Sequence, residues 1–88
     1  MDRKLLQDAL YGREVASYLY LRNPRVTLID VGRKMKDGAY TGELSVRVHM
    51  RDKPSQVEIE ALSITSPSLV VDKSKIPFPV DIIQASYV

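Results

Sequence analysis

One histidine, no cysteine and a modest set of carboxylates bound the chemistry open to this 88-residue chain. His49 sits in an alternating segment, Leu44-Ser45-Val46-Arg47-Val48-His49-Met50-Arg51. If Arg47, His49 and Arg51 share one face of a strand, the two cations disfavour the imidazolium form and leave a neutral base. Hydrolysis would need more: a nucleophile on a sharp turn and a carboxylate to orient the ring. No nucleophile elbow lies near His49 in the sequence, so it reads as a half-exposed strand histidine and the chain as non-catalytic. Metal binding fares no better. Without cysteine the ready ligands are carboxylates, and Glu58 and Glu60 make only a fragment of a site. Neither an EF-hand loop nor a His-x-x-x-His spacing occurs. Gly38-Ala39-Tyr40-Thr41-Gly42 leads into a strand, whereas a phosphate cradle leads into a helix N-terminus, so these glycines read as hairpin geometry. No cofactor and no metal are expected.

Two binding surfaces remain. Arg33 and Lys34 on a first strand, with Lys36 beyond them, face the possibility of joining Arg47, His49 and Arg51 on a second, with Tyr40 at the turn between. A basic sheet face with an aromatic platform is one way to hold single-stranded nucleic acid. Asp37, Glu43 and Asp52 dilute that patch, and alternating arginine on an open face also serves solvation and edge protection. The stronger reading is self-association. Tyr11, Tyr18 and Tyr20 crowd a helix, and Leu21 adds apolar surface. Ile82, Ile83 and Tyr87 bring apolar groups to the chain end. Tyrosine joins an apolar body to a polar tip and is enriched at interfaces, and an exposed closing strand offers an edge to a second copy. The expected partner is therefore a second copy or another protein. Nucleic acid is the alternative, and no membrane is expected.

These side chains must be carried by local elements. Residues 3 to 22 read as a helix: Leu5, Ala9, Gly12, Ala16 and Leu19 recur at spacings of 4, 3, 4 and 3 on one face. The small residues at its middle allow close approach to a sheet, although Gly12 could instead mark a bend between two shorter helices. Asp2 is a plausible N-cap, and Asn23-Pro24 ends the helix. Val26 to Lys36 reads as a strand, Asp37-Gly38 as a turn, and Glu43 to Arg51 as a second strand with Leu44, Val46, Val48 and Met50 on its buried face. Ser55 and Glu58 have capping-box spacing, which favours a short helix from Gln56 to Leu62, while the alternation of Val57, Ile59 and Ala61 fits a strand equally well. Ser63 to Pro79 is a long connection that includes an extended piece at Leu69 to Val71. Val80 to Val88 closes the sheet. The expected fold is α+β: one domain over 1–88, with a long N-terminal helix packed on a mainly antiparallel sheet of three or four strands in two layers.

Bulk properties agree with such a domain. Hydrophobic residues make up 44% and charged residues 27%, an ordinary globular balance that argues against disorder. The net charge of +2 is too small to demand a nucleic-acid partner. It is unevenly spread: residues 1–53 hold 11 Lys/Arg and 7 Asp/Glu, and residues 54–88 hold 2 and 4. Apolar runs are too short for a membrane span, and Gln7, Asp8, Arg13 and Glu14 interrupt any signal-peptide core. With no thiols, a cytoplasmic location is the default expectation. A closing strand that reaches the chain end suits a domain taken from something longer.

Three segments carry a family resemblance. They are Val31-Gly32-Arg33-Lys34, then Thr41-Gly42-Glu43-Leu44-Ser45-Val46-Arg47-Val48 with Arg51-Asp52-Lys53, then Pro79-Val80-Asp81-Ile82-Ile83-Gln84. Over residues 26–88 the chain resembles a bacterial module that sits ahead of trypsin-like serine peptidase domains. That module has a glycine-containing strand, a "TGE"-like turn, an alternating strand, a Pro-rich connection and a closing strand of the type Pro-x-Asp-Val-Ile-Glu. Gln84 stands at the glutamate position, and Pro77 or its neighbourhood where a glycine is common. The connection from Pro54 to Ile76 lacks the family's acidic Pro-Glu-rich character. The resemblance implies an accessory role, with any peptidase beyond this chain and no catalytic residue within it.

Overall fold

The computed structural model describes residues 3–52 and 55–84. Its elements are α1 (Arg3–Tyr20), β1 (Val26–Lys36), β2 (Ala39–Met50), α2 (Gln56–Thr65) and β3 (Val80–Gln84), with 3₁₀ turns at Pro67–Leu69 and Lys73–Lys75 between α2 and β3. Helix α1 packs on one face of a three-stranded sheet in the order β1-β2-β3. This is the expected two-layer α+β arrangement.

Helix α1 is continuous through Gly12, so the glycine marks contact and not a bend. The buried residues of α1 are Ala9, Gly12, Ala16 and Tyr20. A Cβ on Gly12 would lie 2.7 Å from Phe78 Cβ and 3.1 Å from Val46 Cγ2. The small-residue stripe therefore lets the helix backbone descend onto β2 and onto the approach to β3. Leu5 and Leu19, assigned to the buried face by spacing, flank the contact and stay about two-fifths exposed. Tyr20 takes the inward position at the helix end in place of Leu19.

Tyr20 also fastens the long connection. Its hydroxyl donates to the Asp72 carbonyl oxygen at 3.1 Å and accepts from the Asp72 amide at 2.8 Å. Burial raises the Tyr20 pKa above its ordinary value, with the nearby Asp72 charge adding to the rise and the hydrogen bond to the Asp72 backbone working against it. Replacing Tyr20 by phenylalanine keeps the ring and removes both bonds. We expect a loss of about 1–2 kcal/mol in urea unfolding, the usual cost of leaving partly buried backbone groups without a partner. An unchanged midpoint would show that water replaces the hydroxyl.

The β1–β2 hairpin turns on Asp37 and Gly38, both with positive φ (54° and 80°), as a two-residue turn between Lys36 and Ala39 requires. Register then runs antiparallel through Arg33↔Leu44, Val31↔Val46, Asp30↔Arg47 and Leu28↔His49. The shift between Arg33 and Met35 is spanned by the Thr41 hydroxyl, which donates to the Lys34 carbonyl oxygen at 2.9 Å. β3 joins the other edge of β2 in parallel, with Val46↔Val80 and Arg47↔Asp81. A parallel neighbour needs a long crossover, and residues 51–79 provide it.

Within that crossover the segment 56–65 is helical, which settles the ambiguity of 56–62. Ser55 has extended backbone, and its hydroxyl accepts from the Glu58 amide at 3.2 Å. Period-2 alternation loses here to the cap, which acts locally on the first turn of the helix. No residue of α2 is buried. The connection after it contributes more than a link: Val71 and Ile76 join the core with Val46, Val48, Met50 and Val80. Among the described residues, no helix is long and apolar enough to cross a membrane.

Candidate functional site

The sheet has a second face, turned away from α1. Because Val46 meets α1 at Gly12, strand alternation places Ser45, Arg47 and His49 on the opposite side. Their cross-strand neighbours are Gly32, Asp30 and Leu28 on β1, and Asp81 and Ile83 on β3. A half-wet face was expected, but Ser45 and His49 are buried, His49 being 6% exposed.

Asp30 organises this face. Arg47 grips it with two parallel bonds, Nε to Oδ1 at 2.9 Å and the terminal nitrogen to Oδ2 at 2.7 Å. His49 Nε2 lies 3.1 Å from Oδ1. An ionised carboxylate only accepts, so the ring proton in this contact sits on Nε2. Desolvation pushes the Asp30 carboxyl upward. The hydrogen bonds from Arg47 and His49, and the positive charge they bring, outweigh it and hold the carboxyl below its ordinary value. The expectation that Arg47 and Arg51 would act on the His49 ring as bare cations is therefore corrected: the ring faces a carboxylate that Arg47 shares.

Gly32 explains how Arg47 reaches across. A Cβ there would fall 2.5 Å from the Arg47 Cζ and 2.6 Å from its Nε. The guanidinium thus lies flat over the bare backbone of Gly32. On its other side, register sets Asp81 of β3 opposite Arg47. An Asp30-Arg47-Asp81 row therefore crosses all three strands, with His49 beside it.

The five basic candidates do not form one face. Arg47 and His49 are drawn into the row. Arg33 pairs with Leu44, which puts it on the α1 side by alternation. Lys34 is half-buried beside the hairpin irregularity, and Arg51 lies exposed just past β2. Of the self-association candidates, Tyr11 and Tyr18 are exposed on α1, Tyr18 at 87%. Ile82 packs against the core and Ile83 is half-buried. Tyr87 lies outside the described residues.

Sequence reasoning missed Asp30 and Gly32. The signal was a single carboxylate and a glycine two residues apart in an apolar strand, where each lowers strand preference. A second ion pair, Arg25 with Glu58, ties the start of β1 to α2, with Asp52 also near at 3.9 Å. An apolar pocket of about 290 Å³ opens under α2, lined by Met50, Ile59, Leu69, Val71 and Ile82, with Lys73 among its lining residues. Among the described residues no cluster of three metal-ligating side chains occurs.

The arrangement is a small α+β domain whose polar centre is closed upon itself. No family model matches the chain, and no curated protein or solved structure matches it.

Proposed function

We propose that the chain is a non-catalytic interaction and assembly module acting in the cytoplasm, related to the domain that precedes bacterial trypsin-like serine peptidases. The observation that carries this reading is the contrast between its surfaces. The polar groups that chemistry would need are engaged with one another at Asp30, while Leu10, Tyr11 and Tyr18 of α1, and Leu21 just past its end, stand exposed. Apolar and tyrosine side chains gathered along one helix favour a protein partner. A histidine buried beside a carboxylate and an arginine is poorly placed to meet a substrate.

The resemblance is supported by where its segments fall. The glycine-containing motif lies in β1 and Pro79 to Gln84 runs into and through β3, while Thr41-Gly42-Glu43 lies within β2 and the turn itself is Asp37-Gly38. Nucleic-acid binding is the weaker reading, because Arg47 is bound to Asp30 and Arg33 belongs to the other face.

Sedimentation equilibrium of the chain, with anisotropy titration against a labelled single strand, tests the proposal. The expected result is protein self-association and no strand binding at physiological salt. Strand binding that disappears in a combined Arg33, Lys34 and Arg51 to alanine variant would replace this reading with the alternative. Arg47 and His49 are left intact in that variant because their loss would disturb the fold.

A further inference from the structure

We infer that a second copy of this chain pairs with the free edge of β1, giving a continuous six-stranded sheet whose two-fold axis passes at Val31. The inference rests on the assembly reading above and names its surface and register.

Backbone geometry defines which groups β1 offers. The Val46 amide donates to the Pro79 carbonyl oxygen at 2.8 Å, toward β3 and away from β1. In an antiparallel ladder, Val46 and its partner Val31 are then a pair that exchanges no hydrogen bonds. The N–H and C=O of Val31 point to the outer edge. By alternation so do those of Ile29 and Arg33. Among the described residues β1 pairs with β2 alone, which leaves this row as a template for a strand.

Charge selects the occupant and the register. A two-fold axis at Asp30 would set Asp30 against Asp30 of the second copy, a repulsive pair. An axis at Gly32 would set Gly32 against itself and bring two Arg47 guanidinium groups together, since each lies over its own Gly32. An axis at Val31 does neither. It pairs the outward groups of Val31 with each other and those of Ile29 with Arg33 of the second copy. It also sets Asp30 of each copy opposite Gly32 of the other, where the Arg47 guanidinium lies. Each guanidinium, with five donors, then meets a carboxylate from both copies, and the Asp30–Arg47 pair becomes a four-membered network across the seam. The cationic stretch Arg33 to Lys36 of one copy faces the uncharged start of β1 in the other. On the α1 side, a shallow groove lined by Leu10, Arg13, Ser17 and Ile29 borders this edge. Leu10 is 42% exposed there, and pairing covers it.

The test uses the full chain over roughly 1 µM to 1 mM, the span of weak to moderate affinities. Sedimentation equilibrium should give a mass rising from 10.0 kDa to twice that value. Val31→Pro should weaken dimerisation at least about a hundredfold, because both hydrogen bonds at the axis are lost. Far-UV circular dichroism should be retained, since proline is tolerated on an edge strand where the N–H faces solvent. Amide exchange on the parent chain gives a reading independent of any variant: Ile29, Val31 and Arg33 should be protected at high concentration and lose that protection on dilution. Association with these three amides unprotected, or undiminished in folded Val31→Pro, would overturn the edge pairing and leave the assembly reading standing. A chain monomeric throughout the range would overturn both the pairing and self-assembly.

Discussion

Replacing Asp30 by alanine is expected to lower the thermal midpoint by roughly 10 °C. The carboxylate accepts three bonds from Arg47 and His49, and its loss removes all three from a half-buried guanidinium and a buried imidazole. Breaking a fully buried pair costs 3–5 kcal/mol. The Arg47 and Asp30 side chains keep 21% and 29% exposure, so solvent screening reduces this to about 2 kcal/mol. For a domain of this size each kcal/mol moves the midpoint by about 4–8 °C. The same cluster gives an acid dependence. The folded Asp30 carboxyl lies below its ordinary value, so its contribution is present in full above the unfolded value of about 3.9. It is lost as pH falls from there through the folded value. Asp72 moves in the same direction through the hydrogen bonds from Ser74. Urea midpoints should therefore drop on acidification below about pH 4, and the drop should be smaller in Asp30→Asn. Gly32→Ala, which pushes Arg47 off its shelf, should reproduce part of the Asp30→Ala loss without removing a charge. A midpoint in Asp30→Ala within 2 °C of the parent, taking about 0.5 kcal/mol as the limit of significance, would mean that water serves Arg47 and His49 equally well.

Valine at position 12 should be costlier still. Its Cβ alone would stand 2.7 Å from Phe78 Cβ and 3.1 Å from Val46 Cγ2. Phe78 Cβ is anchored to its backbone, so a rotamer change does not relieve the contact. The helix must lift from β2 or the Ile76–Val80 approach must shift. Overpacking of this kind costs about 1–3 kcal/mol, and the added methyls of valine place it at the upper end. Alanine separates the terms, since it gains about 1 kcal/mol of helix propensity over glycine while meeting the same first clash. The expected order of midpoints is parent, then Gly12→Ala lower by several degrees, then Gly12→Val lower by roughly 15 °C. A stabilised Gly12→Ala would show that propensity outweighs contact and that the close approach of α1 is not required.

Much of the architecture was legible because it is local. The 3- and 4-residue spacing of Ala9, Gly12 and Ala16, the proline after Asn23, the Asp37-Gly38 turn and the alternation around Val46 each act over a few residues. The helix face and the turn appear where expected, whereas β2 begins at Ala39 instead of Glu43 and its face opposite Val46 is largely buried. The Ser55 cap belongs with them, although alternation in the same segment obscured it. The helix end was misjudged between Leu19 and Tyr20 because one residue of rotation changes which side chain turns inward, and spacing alone resolves a face only to about that precision.

The polar face of β2 was not legible, for a physical reason. Alternation tells that Arg47 and His49 share a side, but not what stands across from them. That depends on a register set 17 residues away in sequence at Asp30, and on a third strand that arrives in parallel after the crossover. A one-residue slip of either neighbour would exchange Asp30 or Asp81 for an apolar side chain. Local patterning therefore determined the elements and the hairpin, since turn chemistry and hydrophobic period operate within each segment. Tertiary pairing alone turned the expected basic surface into a closed ion cluster and, among the described residues, left the outer edge of β1 without a strand neighbour, because both depend on contacts between segments that the chain brings together only on folding.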